Sequence, residues 1–170
     1  ETGRKILLVV NAKGGTTLSQ WAKGDGGDGL FEEAVRRTKE AMLYGSLKAI
    51  LWHQGCGDAR KYDVYMDKLS VFVASLRADL NADVPFIAGE LGQWRPNVAN
   101  FNEMIHTISS HIQDSDWVST KGCAPIVTKK SCLTNVLMCE TSSPQVLQAV
   151  VSMCCQSQLS SLTFTSVETH

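Results

Sequence analysis

The sequence predicts an α/β fold, a parallel sheet with helices on both faces. Short, near-continuous apolar runs at 5–12, 47–53 and 84–91 alternate with stretches whose apolar residues recur at helical spacing. Runs without polar interruption suit strands covered on both faces, and strand–helix–strand alternation suits parallel pairing through crossover helices. Glycine-rich loops close the first two runs. In such sheets ligands sit beyond the carboxyl ends of the strands, so the loops after each strand are where function is to be sought.

Taken in order, "KILLVVNA" (5–12) is the first strand, closed by Gly14-Gly15. A loop carrying Gly24, Gly26, Gly27 and Gly29 follows. Phe31, Ala34, Val35, Thr38 and Met42 then recur at helical spacing, with Gly45 placed as C-cap. "LKAILWH" (47–53) is the second strand. Tyr65, Leu69, Phe72, Val73, Leu76 and Leu80 form one apolar stripe, the clearest helix of the chain. "VPFIAGEL" (84–91) is the third strand. Val98, Phe101, Ile105, Ile108 and Ile112 mark a further amphipathic helix, and a short strand near Trp117–Ser119 closes the pattern.

A chain of 170 residues is long enough to bury a core of its own and is read as one domain. After residue 126 the character changes: from Cys123 onward only Lys129, Lys130, Glu140 and Glu168 are charged, while Ser and Cys dominate. Residues 1–126 are therefore read as the α/β region, and 127–170 as a divergent tail packed on the same domain. Within the tail "PQVLQAVVSMCC" reads as a helix and "LTFTSV" (162–167) as a strand.

The net charge of −1 gives no electrostatic reason to expect nucleic acid or an anionic membrane as partner. No apolar stretch approaches the ~20 residues of a membrane-spanning helix. No signal-peptide pattern is present, and Glu1-Thr2-Gly3 reads as a cleavage or cloning remnant, which leaves secreted and cytoplasmic locations both open. Of the six cysteines none forms the CxxC spacing of a zinc site, so no metal and no cofactor is expected, and buried free thiols are the default reading.

The functional signal lies in "ILWHQGCGDA" (50–59), where a buried strand ends by presenting His53 and Gln54 beside a glycine-bracketed loop. Backbone N–H groups at Gly14 and Gly15 allow close approach of a ligand, and Gln54 carries an NH₂ donor. Donors of this kind aimed at a developing oxyanion serve acyl transfer. A plain turn and a helix-cap neighbour account for the same residues equally well on spacing alone.

"KILLVVNAKGGTTLSQW", "LKAILWHQGCGDA" and "VPFIAGELGQW" together resemble the sialate O-acetylesterase and acetylxylan esterase group of SGNH-type hydrolases. That group carries GGT-S-x-x-W, WHQGE-S-D and a P-F-[IV] strand in this order, and the likeness covers about residues 4–122. It implies a three-layer α/β/α, flavodoxin-like fold and hydrolysis of acetyl esters on carbohydrates or of small esters. It places oxyanion-hole duties on Gly14, Gly15 and Gln54, with Thr16, His53, Cys56 and Glu90 as candidate cleft-lining residues.

The departures are as informative. The family's nucleophile is a serine in a G-[QD]-S-N block, on a strand lying between those matching 5–11 and 48–53; neither that block nor the family's D-x-x-H block occurs here. Cys56 and Gly57 stand where the family has Glu and Ser. Ser46 in "YGSL" precedes its strand and so falls at the opposite sheet edge, ~20 Å away at the usual rise per strand residue. Cys56 would need an adjacent base to act as nucleophile, and reads as a loop thiol. His106 and His111 read as surface or cap residues, and Glu90 as a solvated loop carboxylate unless it lines the cleft. The sheet is then incomplete. Its gap is expected to close by direct pairing of the neighbours, by a strand from a partner chain, or by the tail strand 162–167 folding back. The residues therefore support an esterase-family domain inactive by itself, or a non-catalytic glycan- or protein-binding module reusing the cleft.

Overall fold

The computed structural model describes residues 7–122 and the backbone of 136–139. The fold is α/β, of the flavodoxin-like parallel class. Its elements are β1 (Leu7–Val10), α1 (Leu30–Ala41), β2 (Leu47–Trp52), α2 (Tyr65–Leu80), β3 (Phe86–Gly89), α3 (Ala99–Ile105), β4 (Ser115–Val118) and β5 (Val136–Cys139). The sheet order is β1-β5-β2-β3-β4. β2 runs parallel to β3, with Ile50 opposite Phe86, and β3 parallel to β4, with Gly89 opposite Val118.

The gap between β1 and β2 is filled by β5, antiparallel to both: Val10 and Leu51 both face Val136, and Leu7 and Leu47 both face Cys139. A tail segment thus closes the sheet. It is a different segment from the one expected, since 162–167 and the helix read within the tail lie outside the described residues. The fit is imperfect, because the β2–β5 register shifts between Leu47 and Ala49. Such a shift is how a strand accommodates a neighbour whose length or twist does not match.

α1 carries Glu32 and Glu33 in its first turn and Lys39 in its last, charges that suit the two ends of the helix dipole. It ends at Ala41 with Met42 as cap, three residues before Gly45. Its last carbonyls are instead taken up by tightened turns, Leu43 N–H to Glu40 and Tyr44 N–H to Ala41. α2 buries the predicted stripe and is closed by Asn81 in the left-handed conformation. The helix expected over 98–112 stops at Ile105, and Ile108–Ser110 forms a separate 3₁₀ turn. There the Thr107 hydroxyl donates to the Met104 carbonyl, a local bond that competes with helix continuation. Ile108 and Ile112 stay buried all the same.

The core centres on Trp52 at the end of β2. Its ring lies 4.6 Å from Phe72 of α2, 5.7 Å from Trp21 in an edge-on contact, and 6.2 Å from Phe86 of β3. This block of aromatic rings fixes the carboxyl end of β2, and with it the loop that opens at His53.

Candidate active site

Gln54 is the hub of the loops at the carboxyl edge. It is 2% exposed, and every polar atom of its side chain has a partner. Its Nε2 donates to the Thr16 carbonyl at 2.9 Å and to Asp58 Oδ2 at 2.8 Å, and its Oε1 accepts from the Tyr65 hydroxyl at 2.8 Å. Asp58 Oδ2 also accepts from the Leu18 N–H, at 2.8 Å. The Tyr65 hydroxyl in turn accepts from Trp52 Nε1 at 3.0 Å. Burial pushes the Tyr65 phenol far above its ordinary range, so it stays protonated and keeps donating. The network ties the 14–16 loop, the 53–58 loop and the start of α2 into one body.

Sequence reasoning placed Gln54 beside the Gly14-Gly15 loop, and the structure brings them together through Thr16. Thr16 is itself buried, its hydroxyl donating to the Lys13 carbonyl and accepting from Trp21 Nε1. Gly14 and Gly15 are exposed, and among the described residues their backbone N–H groups have no acceptor. Asp58 and Tyr65 were not anticipated as site residues. Asp58 stood within the quoted block, and a carboxylate just after a glycine-bracketed turn was the signal available.

Gly55 sets how closely this loop packs. Its φ of +143° belongs to glycine, and a Cβ there would lie 2.1 Å from Phe101 Cζ. Cys56 is disulfide-bonded, which corrects the reading of it as a free thiol and leaves it no thiolate for nucleophilic attack. The bond was illegible because every other cysteine lies at 123 or beyond, with no spacing to mark a pair.

His53 and Glu90 meet across β2 and β3. His53 Nε2 donates to the Glu90 carbonyl at 3.0 Å, and its ring lies so close to Gly89 that a Cβ there would meet Cδ2 at 2.9 Å. The Glu90 side chain points the other way and is buried, not solvated. Oε1 lies 2.5 Å from His106 Nε2, and Oε2 accepts from the Ser119 hydroxyl and the Thr120 N–H, both at 2.9 Å. Gln93 Nε2 adds a longer contact to Oε2. Burial alone would raise this carboxyl, but these donors outweigh it and hold Glu90 below its ordinary value, so it is ionised at neutral pH. His106 is the cap of α3 and is exposed, as its surface or cap reading has it; it is in addition bound to a buried carboxylate and stacked on Trp117, with ring centroids 3.7 Å apart.

An open cleft of about 940 Å³ lies beside this pair, lined among others by Arg60, Tyr62, Gln93, Arg95, Asn100 and His106. None of Gly14, Gly15, Thr16, His53, Gln54, Cys56 or Glu90 lines it; Glu90 reaches it only through Gln93 and His106. Among the described residues no three His, Cys, Asp or Glu side chains are grouped to hold a metal ion.

A mixed α/β sheet with its polar loops gathered at the carboxyl edge of β1 and β2 defines an α/β domain whose candidate site lies beyond those strand ends. The sequence profile of the family described as "Carbohydrate esterase, sialic acid-specific acetylesterase" matches residues 1–132, and the chain belongs to that family. It is 40% identical over 89 residues to the Arabidopsis thaliana protein named "Probable carbohydrate esterase At4g34215", a stretch that is 48% of this chain and 32% of that protein. The solved structure of the Arabidopsis thaliana protein AT4G34215 superposes with a TM-score of 0.58 at 25% identity, covering 66% of this chain and 48% of that one. The chain thus spans about a third of the relative's sequence and about half of the solved chain.

Proposed function

We propose that this chain carries the oxyanion-binding side of a carbohydrate acetylesterase site, taking an acetylated carbohydrate against the 14–16 loop. By itself it performs no serine-type hydrolysis. The observation that carries this reading is the pair of exposed amides at Gly14 and Gly15, without acceptors among the described residues, at the carboxyl end of β1. Two such donors suit the carbonyl oxygen of an ester as it gains charge, each worth about 3 kcal/mol in acyl transfer. Gln54 already spends both amide hydrogens on Thr16 and Asp58, so its part is to hold the loop in shape. The family's nucleophile belongs at the carboxyl end of the strand between β1 and β2. At that edge β5 presents the position of Val136, which carries no nucleophile.

The antiparallel run of β5 also favours a second reading, a non-catalytic module that binds glycans through the same loops. One titration separates the two, with backbone amide resonances followed as an O-acetylated sugar or its deacetylated parent is added. The esterase-side reading expects shifts at Gly14 and Gly15 with the acetylated sugar only. Equal shifts with both sugars support the binding module, and no shift with either overturns both readings. Turnover of 4-nitrophenyl acetate that a serine-reactive organophosphate abolishes would overturn the absence of a serine mechanism.

A further inference from the structure

The Glu90–His106 pair stands apart from the Gln54 network, and the function above makes no use of it. Glu90 is an ionised, buried carboxylate fixed by Ser119, Thr120 and Gln93, and it accepts from His106 Nε2. An ionised carboxylate offers no proton, so the shared hydrogen belongs to Nε2. In the tautomer with its hydrogen on Nε2, the ring carries its lone pair on Nδ1. Trp117 covers one face of the ring and fixes its plane. The side chain is still 37% exposed and forms part of the cleft wall, and Nδ1 has no partner among the described residues.

A histidine oriented by a buried carboxylate and standing in the wall of a cleft is an arrangement that suits a general base. The charged groups sharing the cleft with it are Arg60, Arg95 and Glu103, the last one turn earlier on α3.

We propose that His106 is an acid–base residue of this cleft and that Glu90 is its positioning residue. Nδ1 removes a proton from water as the water oxygen bonds to an ester carbonyl carbon seated in the cleft. The carbonyl π electrons move to oxygen, in a cleft whose wall includes Arg60. When the carbonyl re-forms, the bond to the alkoxy oxygen breaks, and that oxygen takes the proton from Nδ1. Acid and alcohol leave, and His106 returns to its starting tautomer. Esters are taken as the substrate class from the function proposed above, but the site and the nucleophile are different ones.

The test uses the whole chain after organophosphate treatment, with 4-nitrophenyl acetate as probe and free imidazole at equal concentration as reference. The expected result is turnover above that reference, lost by about tenfold or more in His106→Gln. His111→Gln should leave it unchanged. Imidazole ¹⁵N spectra should show the Nε2–H tautomer for His106 in the native chain and a tautomer mixture in Glu90→Gln, with folding checked by circular dichroism. Native-like turnover in His106→Gln, or a His106 proton resident on Nδ1, would overturn the proposal. An organophosphate-sensitive fraction bears on the serine reading alone and leaves the insensitive fraction to decide this one.

Discussion

Replacing Tyr65 by Phe removes one oxygen from the middle of the Gln54 network and changes little else. The hydroxyl is fully buried, donates to Gln54 Oε1 at 2.8 Å and to the Gln54 carbonyl at 3.1 Å, and accepts from Trp52 Nε1 at 3.0 Å. Tyr65→Phe leaves an indole N–H and a carboxamide oxygen buried without partners. Each orphaned group costs about 1–3 kcal/mol, so the variant should lose roughly 3 kcal/mol, allowing for some relaxation. For a domain of this size that corresponds to a Tm lower by roughly 6–12 °C. Urea titration followed by tryptophan fluorescence reads the change directly, since Trp52 is one of the groups affected. Tyr62→Phe is the control: Tyr62 is 36% exposed, its hydroxyl accepts from Asn100 at 3.2 Å, and its loss should stay within about 0.5 kcal/mol. Equal, small losses in both variants would mean that Tyr65 does not orient Gln54, and the account of how the 14–16 loop is held would fail with it.

Glu90 gives the protein an acid-sensitive term. Its folded carboxyl titrates below the ordinary value of 4.5, so its contribution is complete above that value and is lost as pH falls through the folded one. Urea midpoints between pH 6 and pH 3 should fall more steeply for the native chain than for Glu90→Gln; parallel curves would refute the assignment. β5 should be as protected as the strands beside it. Hydrogen exchange at 136–139 is expected to match that at 50–52, and Leu137→Pro, which removes a donor from a central strand, should expose both neighbours. Fast exchange at 136–139 in the native chain would refute β5 as a stable member of the sheet.

What the sequence made legible was periodic or contiguous. The Tyr65–Leu80 stripe gave a helix at those bounds, because one apolar face repeated over four turns leaves little choice of register. The order of the three quoted blocks gave the family and placed Gln54 beside the first loop. What stayed hidden depends on contacts between distant elements. His106 and Glu90 are 16 residues apart and meet only because β3, β4 and α3 pack as they do. Nothing in a helix-borne histidine announces a buried carboxylate beneath it. The break after Ile105 was hidden too, since Ile108 and Ile112 keep the apolar spacing after the backbone has left the helix. β5 is a four-residue run, too short for pattern alone to show as a strand.

The direction of β5 decides more about function than its presence does. β1 and β2 both run antiparallel to it, hence parallel to each other, and both deliver their carboxyl ends to the edge where Gly14, Gly15 and Gln54 lie. A family-type nucleophile strand would run the same way, entering from the far edge and ending beside those donors. β5 runs in reverse, so its amino end, Val136, stands at the donor edge, and its Cys139 stands opposite Leu7 at the other. The two strands cannot share the position, because each would claim the same ladder groups of β1 and β2. Filling the slot with β5 satisfies those groups and closes two edges that would otherwise invite association. It also places Val136 between the carboxyl ends of β1 and β2. In the function proposed above, ester binding at the donor loops is separate from serine chemistry, and a nucleophile strand could enter only by displacing β5 along its whole length.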